Sequence, residues 1–224
     1  NDDSTGYSRG YGVYAISPEP LTLTNNSFLG NGRTAYIDAS KNFTHSGNTS
    51  GDKTNRGFEM NGIITNNTTL SGNDLPFIIG SLTINGTLTI EPGTILKMSD
   101  YYSSGSITVN GNLIAKGTKD KKIYITSLRD DSVGGDTNGN DSAPAPKNWS
   151  SIFIEKGNVE FDNVVVSYGG WNYNGEYLNI AAAIYQRGAI FLVSNSVFEH
   201  NSTTDIFQDA GTTTISHSEL TNGD

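Results

Sequence analysis

Three observations predict an all-β chain wound as a right-handed parallel β-helix, a solenoid with rungs of about 22–25 residues and long loop insertions. The first is a repeat. Ile184-Tyr185-Gln186 returns as Ile206-Phe207-Gln208, and Val193-Ser194-Asn195-Ser196 returns as Ile215-Ser216-His217-Ser218, each about 22 residues later. The second is alternation of apolar residues over runs of a few residues broken by Gly, Asn or Pro, the mark of short strands with one buried face. The third is the lack of any window with a sustained helical period and caps. Homologous positions recur a whole turn apart, which favours parallel stacking over the tight hairpins of a sandwich.

In chain order, a first unit runs from Val13-Tyr14 through Leu23 to Phe28. Residues 40–61 are polar, carry Lys53, Arg56 and Glu59, and read as an inserted surface loop. Leu82/Ile84 and Leu88/Ile90 then alternate, and Ile84-Asn85-Gly86-Thr87-Leu88 recurs about 25 residues later as Val109-Asn110-Gly111-Asn112-Leu113. Ile123/Ile125 closes that unit. From Gly111 to Gly157 the shift grows to about 46, so residues 128–148 are an insertion. Ile152/Ile154, Val159/Phe161 and Val164/Val166 form the next unit. A third insertion near 168–180 precedes Val193, to which Phe161 maps with a shift of about 32. Asn163 and Asn195 fall at equivalent bends and are expected to stack as an amide ladder, with His217 replacing Asn in the last unit.

Composition fits one elongated domain over 1–224. Only 34% of residues are hydrophobic, low for a globule but sufficient for a narrow inward stripe on each rung. With no Cys, stability must rest on ladders and packing. A net charge of −9 argues against a nucleic-acid partner. No apolar run approaches the ~18–20 residues of a membrane span, so no transmembrane segment is expected. No signal peptide is read at the N-terminus, and both ends look like mid-solenoid positions. The chain is therefore expected to be a piece of a larger protein, a tandem unit, or a subunit stacking head to tail into a fibre.

The stretch Gly80-Ser-Leu-Thr-Ile-Asn-Gly-Thr-Leu-Thr-Ile-Glu-Pro-Gly-Thr-Ile-Leu-Lys97 resembles the right-handed β-helix repeat proteins of microbial cell surfaces, adhesins and surface-layer-like proteins among them. Ile107 to Gly117, Ile123 to Ser127, Gly134 to Gly139, Trp149 and Ser167-Tyr-Gly-Gly170 are similar to the same group, so the resemblance covers roughly 78–224. It implies an extracellular or cell-surface location and a structural or adhesive role. The implied partners are other copies of the chain, neighbouring surface proteins or a polysaccharide.

Candidate sites lie in the insertions. Asp136, Asn138, Asn140 and Asp141 place oxygens at alternate positions that suit a hard cation, with calcium the expected cofactor. No bidentate Glu follows, the twelfth position being Lys147, so an ordinary Asx-turn loop competes. Tyr168, Trp171, Tyr173 and Tyr177 crowd one insertion and form a candidate ligand-binding cluster, with a lid over apolar surface as the alternative; Tyr101-Tyr102, in the analogous excursion between the two middle units, is expected to add to one edge. Sequons at Asn25, Asn42, Asn48, Asn66, Asn67, Asn85, Asn148 and Asn201 are candidate glycosylation sites, against chance in a chain rich in Asn, Ser and Thr. The rival function is a carbohydrate-active enzyme, a polysaccharide lyase or glycoside hydrolase, with Glu155, Glu160 and Asp162 as its carboxylates. His45, His200 and His217 are scattered without metal-ligand spacing, the last two reading as solvated bends.

Overall fold

The computed structural model describes residues 10–17, 19–72, 74–100, 105–171 and 180–221. The regular elements among them are strands, with no helix, and every strand pair is parallel. Most strands bond to strands one unit earlier and later and stack in three columns, while Leu21–Thr24 with Phe43–Ser46, and Ser27–Phe28 with Thr49–Ser50, form two separate pairs.

The first column climbs from the second half of Phe77–Ile84 through Ser106–Val109, Ile152–Ile154 and Ala182–Gln186 to Thr204–Gln208. The second holds Asn67–Leu70, Thr87–Ile90, Asn112–Lys116, Asn158–Asp162, Ile190–Ser194 and Thr212–Ser216. The third takes the first half of Phe77–Ile84, then Ile95–Met98, Ile123–Ser127, Val164–Ser167, Val197–Glu199 and Glu219–Thr221. Toward the N-terminus it continues through Phe58–Ile64 and Arg33–Asp38 to Tyr11–Ala15. Phe77–Ile84 serves two columns at once, which fuses the first and third into one 13-stranded sheet.

Alternation sends one side chain of each pair inward, and the stacked register aligns those side chains across units. Ile107, Ile152 and Ile184 lie directly over one another and are fully buried, as are Ile125, Val166 and Phe198 in the third column. Truncating one such Ile to Ala costs about 2–5 kcal/mol. The registers agree with the repeat read from sequence: Ile84 with Val109, Ile184 with Ile206, and Val193 with Ile215. Asn112 pairs Asn158, 46 residues on, so the 128–148 insertion leaves the stacking undisturbed.

Two corner positions explain residues that alternation leaves out. At the corner between the first and second columns, Gly86, Gly111 and Gly157 follow one another. A Cβ on Gly111 would meet the Gly86 carbonyl oxygen at 2.0 Å, and one on Gly157 would meet that of Gly111 at 1.6 Å. At the corner between the second and third columns, Asn163, Asn195 and His217 have φ of 53°, 49° and 48°, a left-handed conformation that Asn tolerates better than most residues. The two Asn amides do not bond each other as the ladder expectation had it. Both donate to Asp162 Oδ1, at 3.1 Å from Asn163 and 2.7 Å from Asn195.

Residues 40–61 are not an insertion. Phe43–Ser46 pairs Leu21–Thr24, Thr49–Ser50 pairs Ser27–Phe28, and Phe58–Ile64 continues the third column. The alternation is disguised because several inward residues here are polar, satisfied by partners outside the segment. Asp52, fully buried, accepts from Thr34 Oγ1 at 3.0 Å and from the Asn31 backbone N–H at 2.8 Å. His45 is buried against Phe43, Phe58 and Phe77, with Nδ1 2.5 Å from Asp74 Oδ1. His200 and His217 are exposed bends with positive φ.

Candidate functional site

The 128–148 insertion lies over the outer face of the third column and is clamped there by cations from that column's side of the molecule. Lys97 follows inward-facing Leu96, and its ammonium donates to the Asp130 carbonyl at 2.8 Å and the Gly135 carbonyl at 2.6 Å. Its side chain is wholly buried, and that burial pushes its pKa down against the opposing pull of Asp131, Asp130 and Asp136. Arg56 Nη1 pairs with Asp136 Oδ2 at 3.1 Å and bonds the Asp136 carbonyl. Asp130, itself buried, accepts from Thr126 Oγ1 at 2.6 Å and Ser132 Oγ at 2.5 Å.

The oxygens read as calcium ligands are engaged in the loop itself. Asp136 Oδ1 accepts from the Gly139 N–H at 2.7 Å, Asn138 Oδ1 from the Asn140 N–H at 3.2 Å, and Asn140 Oδ1 from the Ser142 N–H at 2.9 Å. These are successive Asx-type turns. Asp141 is exposed. No group of three His, Asp or Glu side chains among the described residues is placed to hold a metal ion. Lys97 was missed because a single outward cation on a strand reads as solvated, and Arg56 because it was assigned to a solvated surface loop.

The four clustered aromatics divide. Tyr168 turns a corner at φ 64°, packs partly against the core and stacks on His200 with centroids 5.4 Å apart. Burial first, then Asp130 and Glu199, pushes its phenol pKa up. Trp171 is half-buried, its backbone N–H donating to the Trp149 carbonyl at 3.0 Å. Tyr173 and Tyr177, like Tyr101 and Tyr102, lie outside the described residues.

Two other aromatic groups stand on the outer sheet faces. Phe153, Tyr185 and Phe207 occupy one register position of the first column. Phe153 and Tyr185 stack at 5.4 Å, and Arg187 lies over both rings while pairing with Glu155 at 2.7 Å. Their signal was present: each follows an inward Ile, so alternation turns it outward. On the third column Tyr14 stacks on Tyr36 at 4.8 Å, with Tyr11 5.3 Å away. Tyr14 is 60% exposed. Beneath them Arg33 pairs with Glu59 at 3.0 Å, and Tyr11 donates its hydroxyl to the same carboxylate. Burial, followed by the charge of Glu59, pushes Tyr11 up to about 12.

No protein-family model, curated protein or solved structure matches this chain. Its own geometry must therefore carry the functional reading.

The three carboxylates of the enzyme alternative are each tied to a neighbour. Glu155 holds Arg187, Glu160 holds Lys116 at 2.8 Å, and Asp162 accepts from Ser194, Asn195 and Asn163. Among the sequons, Asn48 and Asn201 are corrected. Both are buried, and Asn201 Nδ2 donates to the Val166 carbonyl at 3.0 Å and to Asp205 at 2.9 Å, so neither amide faces outward for a glycan. Asn148 is half-buried with its carbonyl accepting from Ser127 Oγ and the Ala145 N–H. Asn25, Asn42, Asn66, Asn67 and Asn85 are exposed.

Proposed function

We propose that the chain is a right-handed parallel β-helix, a solenoid module of an extracellular or cell-surface protein with a structural or adhesive role. Its outer faces contact a glycan or a protein, including other copies of itself or neighbouring surface proteins. The observation that carries this reading is the Tyr14–Tyr36 stack, an exposed ring on a half-buried one, fixed on a parallel ladder. Aromatic faces of this kind stack on sugar rings or anchor protein contacts, and a rigid strand holds them at little entropic cost. Arg33 and Glu59 beside the rings supply polar groups for a sugar's hydroxyls.

A panel of insoluble polysaccharides, scored for both retention and new reducing ends, tests this. Retention without cleavage, lost in Tyr14→Ala and Tyr36→Ala, is the expected outcome. New reducing ends that disappear in Glu155→Gln or Glu160→Gln would replace it with the enzyme reading.

A further inference from the structure

A cleft of about 390 Å³ opens at the corner between the second and third columns, away from the tyrosine stack. Its floor is made by Ile95 and Tyr124, adjacent in register and facing outward. Its rim carries Lys119, Lys121 and Lys122, with Asp120 between them. Three cations within four residues are notable in a chain of net charge −9.

Most other described positive side chains have partners, Lys53, Lys147 and Lys156 being scattered exceptions. Arg33, Arg56, Lys116, Arg129 and Arg187 pair with carboxylates, while Lys41 and Lys97 bind main-chain carbonyls. Among the described residues, none of the three rim lysines has a carboxylate within ion-pair distance. Nor is the turn that carries them slack. Thr118 and Lys121 exchange both backbone hydrogen bonds, at 3.0 and 3.1 Å, and Thr118 Oγ1 accepts a further bond from the Lys121 N–H. The lysine stems therefore start from fixed points. Gly93, at φ 86°, leaves the opposite wall without a side chain, and the Lys121 stem passes about 3.9 Å from where its Cβ would be.

We infer that this cleft is a second binding site, one for an anionic sugar residue of an acidic polysaccharide. The volume sits at the small end of ligand pockets, which run from roughly 300 to 1,000 Å³, and exceeds what a lone inorganic anion fills. Ile95 and Tyr124 offer an apolar floor to the C–H face of a pyranose. The three ammonium groups act as point charges for a carboxylate or sulfate at its edge, without the fixed fork of an arginine. Because the rim is exposed, the attraction is screened by salt.

The test is retention of the full chain on immobilised polygalacturonate and on dextran sulfate, with neutral dextran as reference, at ionic strengths on either side of about 0.15 M. The two acidic columns separate a carboxylate ligand from a sulfate ligand. Expected are binding to at least one, release by salt, and a loss of roughly tenfold or more in Lys119→Ser/Lys121→Ser/Lys122→Ser. A control variant, Lys147→Ser/Lys156→Ser, removes charge elsewhere and should keep most of the binding. Equal losses in both variants, no loss in the first, equal retention on neutral dextran, or equal retention on single-stranded DNA would each overturn the proposal. Circular dichroism confirms that the variants fold. Retention surviving in Tyr14→Ala but not in the triple lysine variant would separate this site from the tyrosine stack.

Discussion

The Lys97 ammonium reaches the Gly135 carbonyl, 38 residues further along the chain, at 2.6 Å. A strand of the third column thus supplies the positive charge around which the acidic insertion folds. The amine takes two main-chain oxygens of the insertion as its partners. Removing it takes this donor from the Asp130 carbonyl and leaves the Gly135 carbonyl only Thr137 Oγ1, at 3.2 Å. Lys97→Met should lower stability by about 1–3 kcal/mol in urea unfolding. The loop itself should become the first site of limited proteolysis, and an unchanged cleavage pattern would show that something else clamps it.

Calcium follows from the same geometry. With Asp136, Asn138 and Asn140 accepting bonds inside the loop, millimolar calcium should leave the wild-type melting temperature where it is. A ligand that binds only the native state must raise it. A concentration-dependent rise, absent in Asp136→Asn, would mean that the loop opens to take the ion.

Gly111→Ala should be among the most damaging single-methyl additions in the molecule. The added carbon would lie 2.0 Å from the Gly86 oxygen, backbone that cannot rotate aside. Overpacking usually costs about 1–3 kcal/mol, and here the ladder between two units must separate. Thermal unfolding measures it. A loss as small as that of a surface substitution would show that the corner can spread.

Asp205 gives a pH signature. It is 3% exposed, its Oδ2 has no hydrogen-bond partner among the described residues, and burial pushes its pKa up despite the bond from Asn201. The folded state therefore binds this proton more tightly than the unfolded state. The contribution is fully present below the ordinary value of 3.8 and is lost as pH rises through the folded pKa. Asp205→Asn keeps an acceptor for Asn201 and removes the buried charge. It should stabilise the protein at neutral pH by about 1 kcal/mol and have little effect below the unfolded pKa. Denaturant titrations at several pH values would reveal the opposite trend if the carboxylate were favourable when ionised.

Tyr11 should be the last tyrosine of its cluster to ionise. Ultraviolet titration should show one phenol resisting up to about pH 12, and this phase should vanish in Tyr11→Phe. Glu59→Gln should lower it only in part, because burial is the larger cause. Complete restoration of an ordinary phenol would reverse that ranking.

The stacking was legible because it rests on apolar side chains recurring at fixed separations. Phe161 over Val193 and Asn112 under Asn158 could both be read off the chain. Residues 40–61 were misread for a related reason. Where His45, Asn48 and Asp52 point inward, hydropathy no longer marks the inner face, although bonds to Asp74 and Thr34 make burial affordable. The insertion's position was legible, but its docking was not, since Lys97 and Gly135 share no local pattern. The outward aromatics were visible in the alternation of Ile152-Phe153-Ile154. They were passed over because a ring within a strand is ordinarily taken as core.

The corner that accepts the 46-residue shift separates two lengths that are usually proportional, the length of the chain and the length of the molecule. The third column contains nine strands, Tyr11–Ala15 to Glu219–Thr221, and so rises through eight inter-strand steps. At about 4.8 Å a step that is roughly 38 Å, whatever lies in the loops between. A turn of 22 residues and one of 46 advance the axis equally. Added sequence at such a corner widens the molecule and leaves its height unchanged. Reach along the axis is set by the number of units, while loop content can change independently on the flank.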